Sequence, residues 1–355
     1  MFDQQLIQET LDYAKSKGAD FAEAFCEQTT SVATALDEKR IDTRTSGSTN
    51  GVGIRVINNS RVGYAYTSTI SSLGLKATVD AACISAGVGG ISPSGKGVDA
   101  NLFINDKNTI ANQESEAEAS FQDPALKTAE RLREIDEVVR SYDRKIVEAS
   151  ATIAQNRRDI LIMNTYGLNV FDSQPRTRLG VRAFAKDANS FQDSHEGPGR
   201  SLGIGFFDQF DIDEIAKTAA KRAVTLLDAV DCPSGNFPVI LKKGAGGVLF
   251  HEACGHGLEA DHIDKGLSVF AGKKGTQVAS NLVTVVDDGT MENEWGTYKF
   301  DDEGNAAQKN VLIQDGILND YMFDVLRSTK LEHNISGNGR RETYEYVPMV
   351  RMTNT

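Results

Sequence analysis

Phe21-Ala-Glu-Ala-Phe-Cys-Glu27 alternates large or charged side chains with small ones, the period of two that belongs to a β-strand with both faces in use. Downstream, Gly51-Val-Gly-Ile-Arg-Val-Ile57 and Arg61-Val-Gly-Tyr-Ala-Tyr66 flank Asn58-Asn59-Ser60, residue types that form tight turns. Residues 20–67 therefore read as an antiparallel sheet with a hairpin. Before them, Leu6, Ile7, Leu11 and Ala14 share one helical face between Asp3, a good N-cap, and Gly18, a helix stop. A second helix is expected over Ser72–Ala86, closed by Gly87 and the pair Gly89-Gly90.

From about residue 89 to 122 the chain is rich in Gly, Ser, Asn and acidic residues, the composition of a connection. Asp123-Pro124 then opens a helix to about Tyr142, because Asp caps well and Pro suits the first helical position. Strands are expected at 145–154 and 159–164, with a further pair around 176–191 and 200–210, before a helix from Asp211 to about Asp228. The turn Asp231-Cys-Pro-Ser-Gly235 precedes a strand at 237–241 and a glycine-rich entry, Lys242-Lys-Gly-Ala-Gly-Gly247, into another helix. That entry lacks the Gly-Lys-Ser/Thr ending of a phosphate loop, so close packing of the helix is the preferred reading. Short apolar runs at 282–286 and 310–313 then alternate with the turns Asp288-Gly289 and Asp315-Gly316.

The fold class is α+β: N-terminal mixed α/β units with antiparallel sheets, followed by a mainly β C-terminal unit that carries a histidine-bearing helix. Three units are expected, at 1–110, 111–230 and 231–355, since single cores rarely grow beyond about 250–300 residues.

With 40% apolar and 25% charged residues the chain is that of an ordinary folded globular protein. It lacks an apolar run of the ~18 residues needed to span a membrane, and its start lacks a secretory pattern, which places it in the cytoplasm. A net charge of −12 argues against direct nucleic-acid binding, which relies on Lys and Arg neutralising phosphates. Cys26, Cys83, Cys232 and Cys254 show no paired short spacing and are expected to be reduced.

The chemistry lies in His251-Glu-Ala-Cys-Gly-His256. Two imidazoles can hold a metal ion, and a carboxylate beside them can take a proton from an attacking water. The familiar spacing is i, i+4, about 40° apart around a helix, whereas His251 and His256 are i, i+5 and about 140° apart on a regular one. The site therefore requires local irregularity, and Gly255 and Gly257 are expected to supply it through unusual φ and ψ. Cys254 lies between the histidines, and Glu259, Asp261 and His262 follow closely enough to approach the metal if the chain turns back after Gly257. Cys254 reads rather as a buried small residue and Glu259 and Asp261 as helix-end caps or solvated acids, with His195 and His333 as remote surface or turn residues. Arg340-Arg341 fits either a clamp on a peptide carboxylate or a structural salt bridge. Asp287-Asp288 and Asp301-Asp302-Glu303 read as hairpin-turn acids rather than a cation site.

His251-Glu-Ala-Cys-Gly-His-Gly-Leu-Glu-Ala-Asp261, followed by Val285-Val-Asp-Asp-Gly-Thr290, Asp301-Asp-Glu-Gly304, Gly337-Asn-Gly-Arg-Arg-Glu342 and Arg351-Met-Thr-Asn-Thr355, resembles the TldD subunit of the TldD/PmbA (TldE) zinc metallopeptidases in the family's order. The resemblance implies a Zn2+-dependent peptidase acting on small unstructured peptides, with His251 and His256 as metal ligands and Glu252 as the catalytic glutamate. It also implies a PmbA/TldE-type partner subunit, the alternative being a homo-oligomer. In the family a cysteine beyond the Arg-Met-Thr-Asn-Thr stretch is the third ligand. The expectation is therefore that this ligand lies past Thr355, that the chain is truncated, and that these 355 residues bind metal weakly or serve as a non-catalytic peptide-binding or assembly subunit.

Overall fold

Strands β1 (Phe21–Asp37), β2 (Arg40–Asn58), β3 (Arg61–Thr67), β4 (Ile146–Asn164), β5 (Asn169–Lys186) and β6 (Phe191–Glu196) form one antiparallel sheet in the order β3-β2-β1-β4-β5-β6, and β7 (Gly199–Arg200) pairs with β5. The structure is a computed structural model that describes residues 2–59, 61–89, 125–244 and 246–355. The connection read over 89–122 lies outside these residues, Gly89 excepted, as does the expected Asp123 cap. β1 pairs with β4 from Glu23↔Asn164 to Asp37↔Ser150, so strands on either side of that connection share one sheet.

Helices α1 (Gln4–Ser16), α2 (Ser72–Ala86), α3 (Ala125–Ser141) and α4 (Ile212–Leu226) all cover the same face. Asp3 caps α1 by accepting the Leu6 N–H at 3.1 Å, and Gly87 closes α2 at φ +71°. Ile7, Leu11, Leu75 and Val79 pack on Ala22, Ala24 and Cys26, the small residues of the opening alternation, with Leu161 and Met163 of β4 in the same cluster. Leu132, Ile135 and Ala220 pack on Ala151, Ile153 and Val181. Because Ala151, Ile153, Leu161 and Met163 are all odd positions of one strand, the two helix pairs lie side by side on one face. Each fully buried aliphatic or Phe side chain contributes about 1.5–3 kcal/mol of burial energy.

Phe21, Glu23, Phe25 and Glu27 point to the other face, which receives the C-terminal region. Phe25, Ile160 and Ile162 meet Phe300 and Tyr344, and Phe21 and Ile57 meet Val325. Between these apolar contacts lies a buried ionic network. Arg55 pairs with Glu23 at 2.8 Å and Glu303 at 2.6 Å, Arg158 pairs with Glu27 at 2.6 Å and Asp302 at 2.8 Å, and Arg341 pairs with Glu23. Arg340–Asp302 at 3.3 Å extends it. The acidic run 301–303 does lie in a turn, closed by the Gly304 N–H on Asp301 O at 3.0 Å, but it is also a buried docking element: Asp302 and Glu303 pair with guanidinium groups, and Asp301 accepts the Glu303, Asn305 and Gly339 N–H groups. Arg340 and Arg341 take the salt-bridge role of their two readings.

Burial alone would raise the Asp302 carboxyl, but the Arg158 and Arg340 guanidinium groups and the Arg341 N–H outweigh it and hold it below the usual carboxylate range. A carboxyl depressed in the folded chain contributes stability that is fully present above its unfolded value of about 4 and is lost as pH falls through its folded value. Asp302→Asn is therefore expected to lower the urea midpoint at pH 7 and to flatten the acid side of the midpoint-versus-pH curve.

Three expectations are corrected. The breaks read at 155–158 do not exist: β4 runs unbroken because Gln155 and Arg158 are buried, Arg158 in the ionic network. Residues 200–210 are not a strand, since after two-residue β7 a 3-10 turn over Ile204–Asp208 carries Phe206 and Phe207 into the core under α3 and α4. Residues 237–241 have strand-like composition but no strand partner among the described residues, and Phe237, Val239, Ile240 and Leu241 are exposed.

The C-terminal region has short strands: β8 (Val285–Asp288), β9 (Lys309–Gln314), β10 (Ile317–Leu318), β11 (Gly339–Arg340) and β12 (Met349–Val350). β9 and β10 turn at Asp315 and Gly316, both with positive φ, and β11 pairs with β12 through Gly339↔Val350. Leu258, Leu312, Met322, Val350 and Met352 form the core here.

Candidate metal centre

A single helical turn, α5 (Gly247–Phe250), leads into a π-helical turn over His251–Gly255 and then a 3-10 turn over His256–Leu258. The His256 N–H donates to the His251 carbonyl. That i, i+5 bond defines a π turn, in which a residue five positions on sits over its partner much as i+4 does in an α-helix. The irregularity required by the spacing is therefore a π turn. His251 and His256 come together with ring centroids 4.8 Å apart and planes at 85°. Their ring nitrogens and a Glu252 carboxylate oxygen all lie within 4.8 Å of one another, and the three are the metal-competent His/Cys/Asp/Glu group found among the described residues.

The glycines act differently from the sequence expectation. Gly255 has φ −55° and ψ −55°, ordinary right-handed helix, so no unusual backbone angle is used. It is required for space: it is buried, and a Cβ there would overlap the Met352 sulfur. At Gly257 a Cβ would lie 3.0 Å from Phe270 Cδ2. Gly255→Ala is accordingly expected to destabilise the fold by about 1–3 kcal/mol through overpacking, read as a lower urea midpoint, with Met352→Ala restoring part of the loss.

Downstream of the turn the chain is firmly held. Leu258 O accepts the Met322 N–H and Ala260 N–H donates to Met322 O, both at 2.9 Å, and both residues are buried in the C-terminal core. Upstream, Val248, Leu249 and Phe250 are exposed, and Gly244 and Gly247 have open space around them. Among the described residues of the glycine-rich entry, the close approach is at Gly246, where a Cβ would overlap the Lys242 carbonyl oxygen, within the entry itself rather than against the core.

Between Leu258 and Ala260, Glu259 takes the cap position that was read, between the 3-10 turn and a short helix over Ala260–Asp264, but its side chain is fully buried rather than solvated and makes no cap hydrogen bond. Its Oε1 lies 3.1 Å from His256 Nδ1, and its Oε2 accepts from Arg351 Nη1 at 3.0 Å. Burial pushes this carboxyl up, against the opposing pull of Arg351 and His256. Asp261 is buried as well, accepting the Val350 N–H at 3.3 Å and facing Arg327 at 3.9 Å. Cys254 is half-buried rather than buried, and it stands outside the His-Glu-His group. His195 is exposed, and His333 stacks on Phe323 at 4.1 Å; neither joins the group.

Glu252 is the exposed member, with its side chain 65% accessible and Oε2 3.8 Å from His256 Nε2. The arrangement thus offers two imidazoles on one side of a turn and a solvent-reaching carboxylate next to them. The donor set suits a borderline divalent ion such as zinc.

Models of the PmbA/TldA metallopeptidases match residues 22–86 (domain 1), 118–227 (central domain) and 234–355 (C-terminal domain). The chain belongs to the TldD/PmbA metallopeptidase family. Among TldD/PmbA relatives, it is 34% identical to a metalloprotease TldD homolog of Haemophilus influenzae over 99% of this chain and 73% of that protein. It is 36% identical to a metalloprotease TldD homolog of Buchnera aphidicola over 86% of this chain, and there it spans 63% of the relative's length. The fold is also that of TldE from Thermococcus kodakarensis, with a TM-score of 0.77 at 17% identity over 98% of this chain and 76% of that one.

The sequence placed His251, Glu252 and His256, and the structure brings all three together. Glu259, three residues from His256, was within reach of the site in the sequence, but there was no signal for Arg351 as the partner of Glu259. They are 92 residues apart in sequence and meet only because the β11–β12 pair returns the chain beside the histidine turn.

Proposed function

We propose that this TldD/PmbA chain is a zinc-dependent peptidase subunit that hydrolyses small unstructured peptides. The observation that carries the reading is the π turn, which brings His251 and His256 to one side with Glu252 beside them. His251 and His256 would hold the ion, and zinc when bound supplies a Lewis acid that polarises a scissile carbonyl and acidifies water. Glu252, exposed at the edge of the turn, takes a proton from the attacking water and returns it to the departing amine. Relatives named as metalloproteases support this assignment.

The likeness to TldE supports a related chain as partner, and no helix of the described residues is long and apolar enough to cross a membrane. We place the activity in the cytoplasm, with a PmbA/TldE-type subunit in the assembly. The test is zinc per chain by elemental analysis, together with hydrolysis of unstructured peptides by the protein with its related partner. Zinc uptake that is lost in His251→Ala/His256→Ala, and chelator-sensitive cleavage, are the expected results. A second reading is a non-catalytic peptide-binding or assembly subunit. It is favoured by the donor set among the described residues: with Glu252 as the proton carrier, two imidazoles are left to hold the ion, where catalytic zinc sites have three protein ligands. Peptide binding without zinc or cleavage would select it.

A further inference from the structure

We propose that the Glu259–Arg351 pair is a positioning device that fixes the tautomer and ring orientation of His256. The proposal rests on the reading of His256 as a metal ligand, but it concerns a property the metal-free chain already has.

An imidazole can coordinate through either nitrogen, and the choice is set by what the other nitrogen bonds. In this structure Nδ1 of His256 lies 3.1 Å from Glu259 Oε1, while Nε2 faces Glu252 at 3.8 Å. A carboxylate only accepts, so the neutral ring carries its proton on Nδ1 and presents the Nε2 lone pair toward His251 and Glu252. The carboxylate is itself immobile. Glu259 is fully buried, its backbone is bridged to Met322, and its second oxygen is taken by Arg351 at 3.0 Å. His262 Nε2, at 3.7 Å from Oε2, is beyond hydrogen-bonding distance and leaves that arrangement intact.

Glu259 touches neither substrate nor ion, and Arg351 acts one step further out. Their effect is to remove the alternative tautomer and the alternative ring flip from the ensemble, so less ordering remains to be done when the ion binds. Loss of such an outer carboxylate typically costs about 10–100-fold in metal affinity.

The test is made on the metal-free protein at pH 8 and then with Co2+ and Zn2+ alone. Long-range 15N–1H correlation spectra should show His256 of the wild type as the Nδ1–H tautomer. Glu259→Leu should give a tautomer mixture and weaken Co2+ binding, followed by visible absorption, by about 10–100-fold. Glu259→Asp keeps two acceptor oxygens on a shorter arm and should restore part of the Nδ1–H population and of the affinity. Because Arg351 is 44% exposed at its side chain, Arg351→Met should fold normally and show a smaller change of the same kind, which keeps the test available if Glu259→Leu misfolds. An Nε2–H tautomer in the wild type would overturn the proposal, as would variants with unchanged His256 shifts and unchanged Co2+ affinity. If the wild type takes up neither ion, the ligand reading fails while the tautomer measurement still decides the positioning claim.

Discussion

Glu252→Gln should lower peptide hydrolysis by about 10²–10⁴-fold, the usual contribution of a positioned general acid–base group, with zinc per chain unchanged. The reason lies in where this side chain stands. Its carboxylate is 65% accessible and 3.8 Å from His256 Nε2, close enough to serve water beside the two imidazoles, yet it contributes little to holding the turn. Glutamine keeps the size and loses the proton acceptor. The variant thus separates proton transfer from folding, which elemental analysis and a urea curve verify in the same preparation. Undiminished cleavage by Glu252→Gln would remove Glu252 from the mechanism. The His256→Ala variant should behave differently, losing the ion together with the activity.

Arg341→Met should destabilise the chain by about 3–5 kcal/mol, the cost of breaking a buried ion pair by removing one partner. Arg341 is fully buried at its side chain and pairs with Glu23, donates to Tyr64 Oη and Tyr346 O at 3.0 Å, and lies over the Phe25 ring at 4.7 Å. Removing the guanidinium leaves these acceptors without a donor, although Arg55 still holds one oxygen of Glu23. Native stabilities are about 5–15 kcal/mol, so a large part would be lost. A double variant, Arg341→Met with Glu23→Gln, should be less destabilised than the sum of the singles, because no unpaired charge then remains. Simple addition of the two urea-derived losses would show that the pair is not coupled.

Much of the N-terminal fold was legible because its signals are local. The Asp3 cap, the Gly87 stop and the turn at Asn58-Asn59 depend on a few neighbouring residues, and the structure follows them. The alternation of Phe21, Glu23, Phe25 and Glu27 against Ala22, Ala24 and Cys26 also survives, with each set meeting a different layer. What failed depended on distant partners. Arg158 looked like part of a polar break until Glu27 and Asp302 enclosed it, and Phe206 and Phe207 looked like strand residues until the helices above them claimed their rings. Residues 237–241 had the composition of a strand but no partner among the described residues. At the metal centre the i, i+5 spacing disclosed that the helix had to be irregular, but not that a π turn would do it with ordinary glycine angles. Glu259 stands only three residues from His256, but the role of Arg351 was invisible because only the return of β12 brings it to Glu259.

A π turn is an α-helix that has accepted one extra residue, and here the two ends of that insertion are held very unequally. Leu258 and Ala260 are locked to Met322, whereas α5 presents Val248, Leu249 and Phe250 to solvent. A deletion within the turn would therefore be absorbed upstream, by α5 swinging about its axis by roughly 100°, the angle of one residue. His256 would stay in place while His251 moved to another azimuth. Natural length variation in this segment should thus reveal itself as movement of the first histidine around a stationary second one.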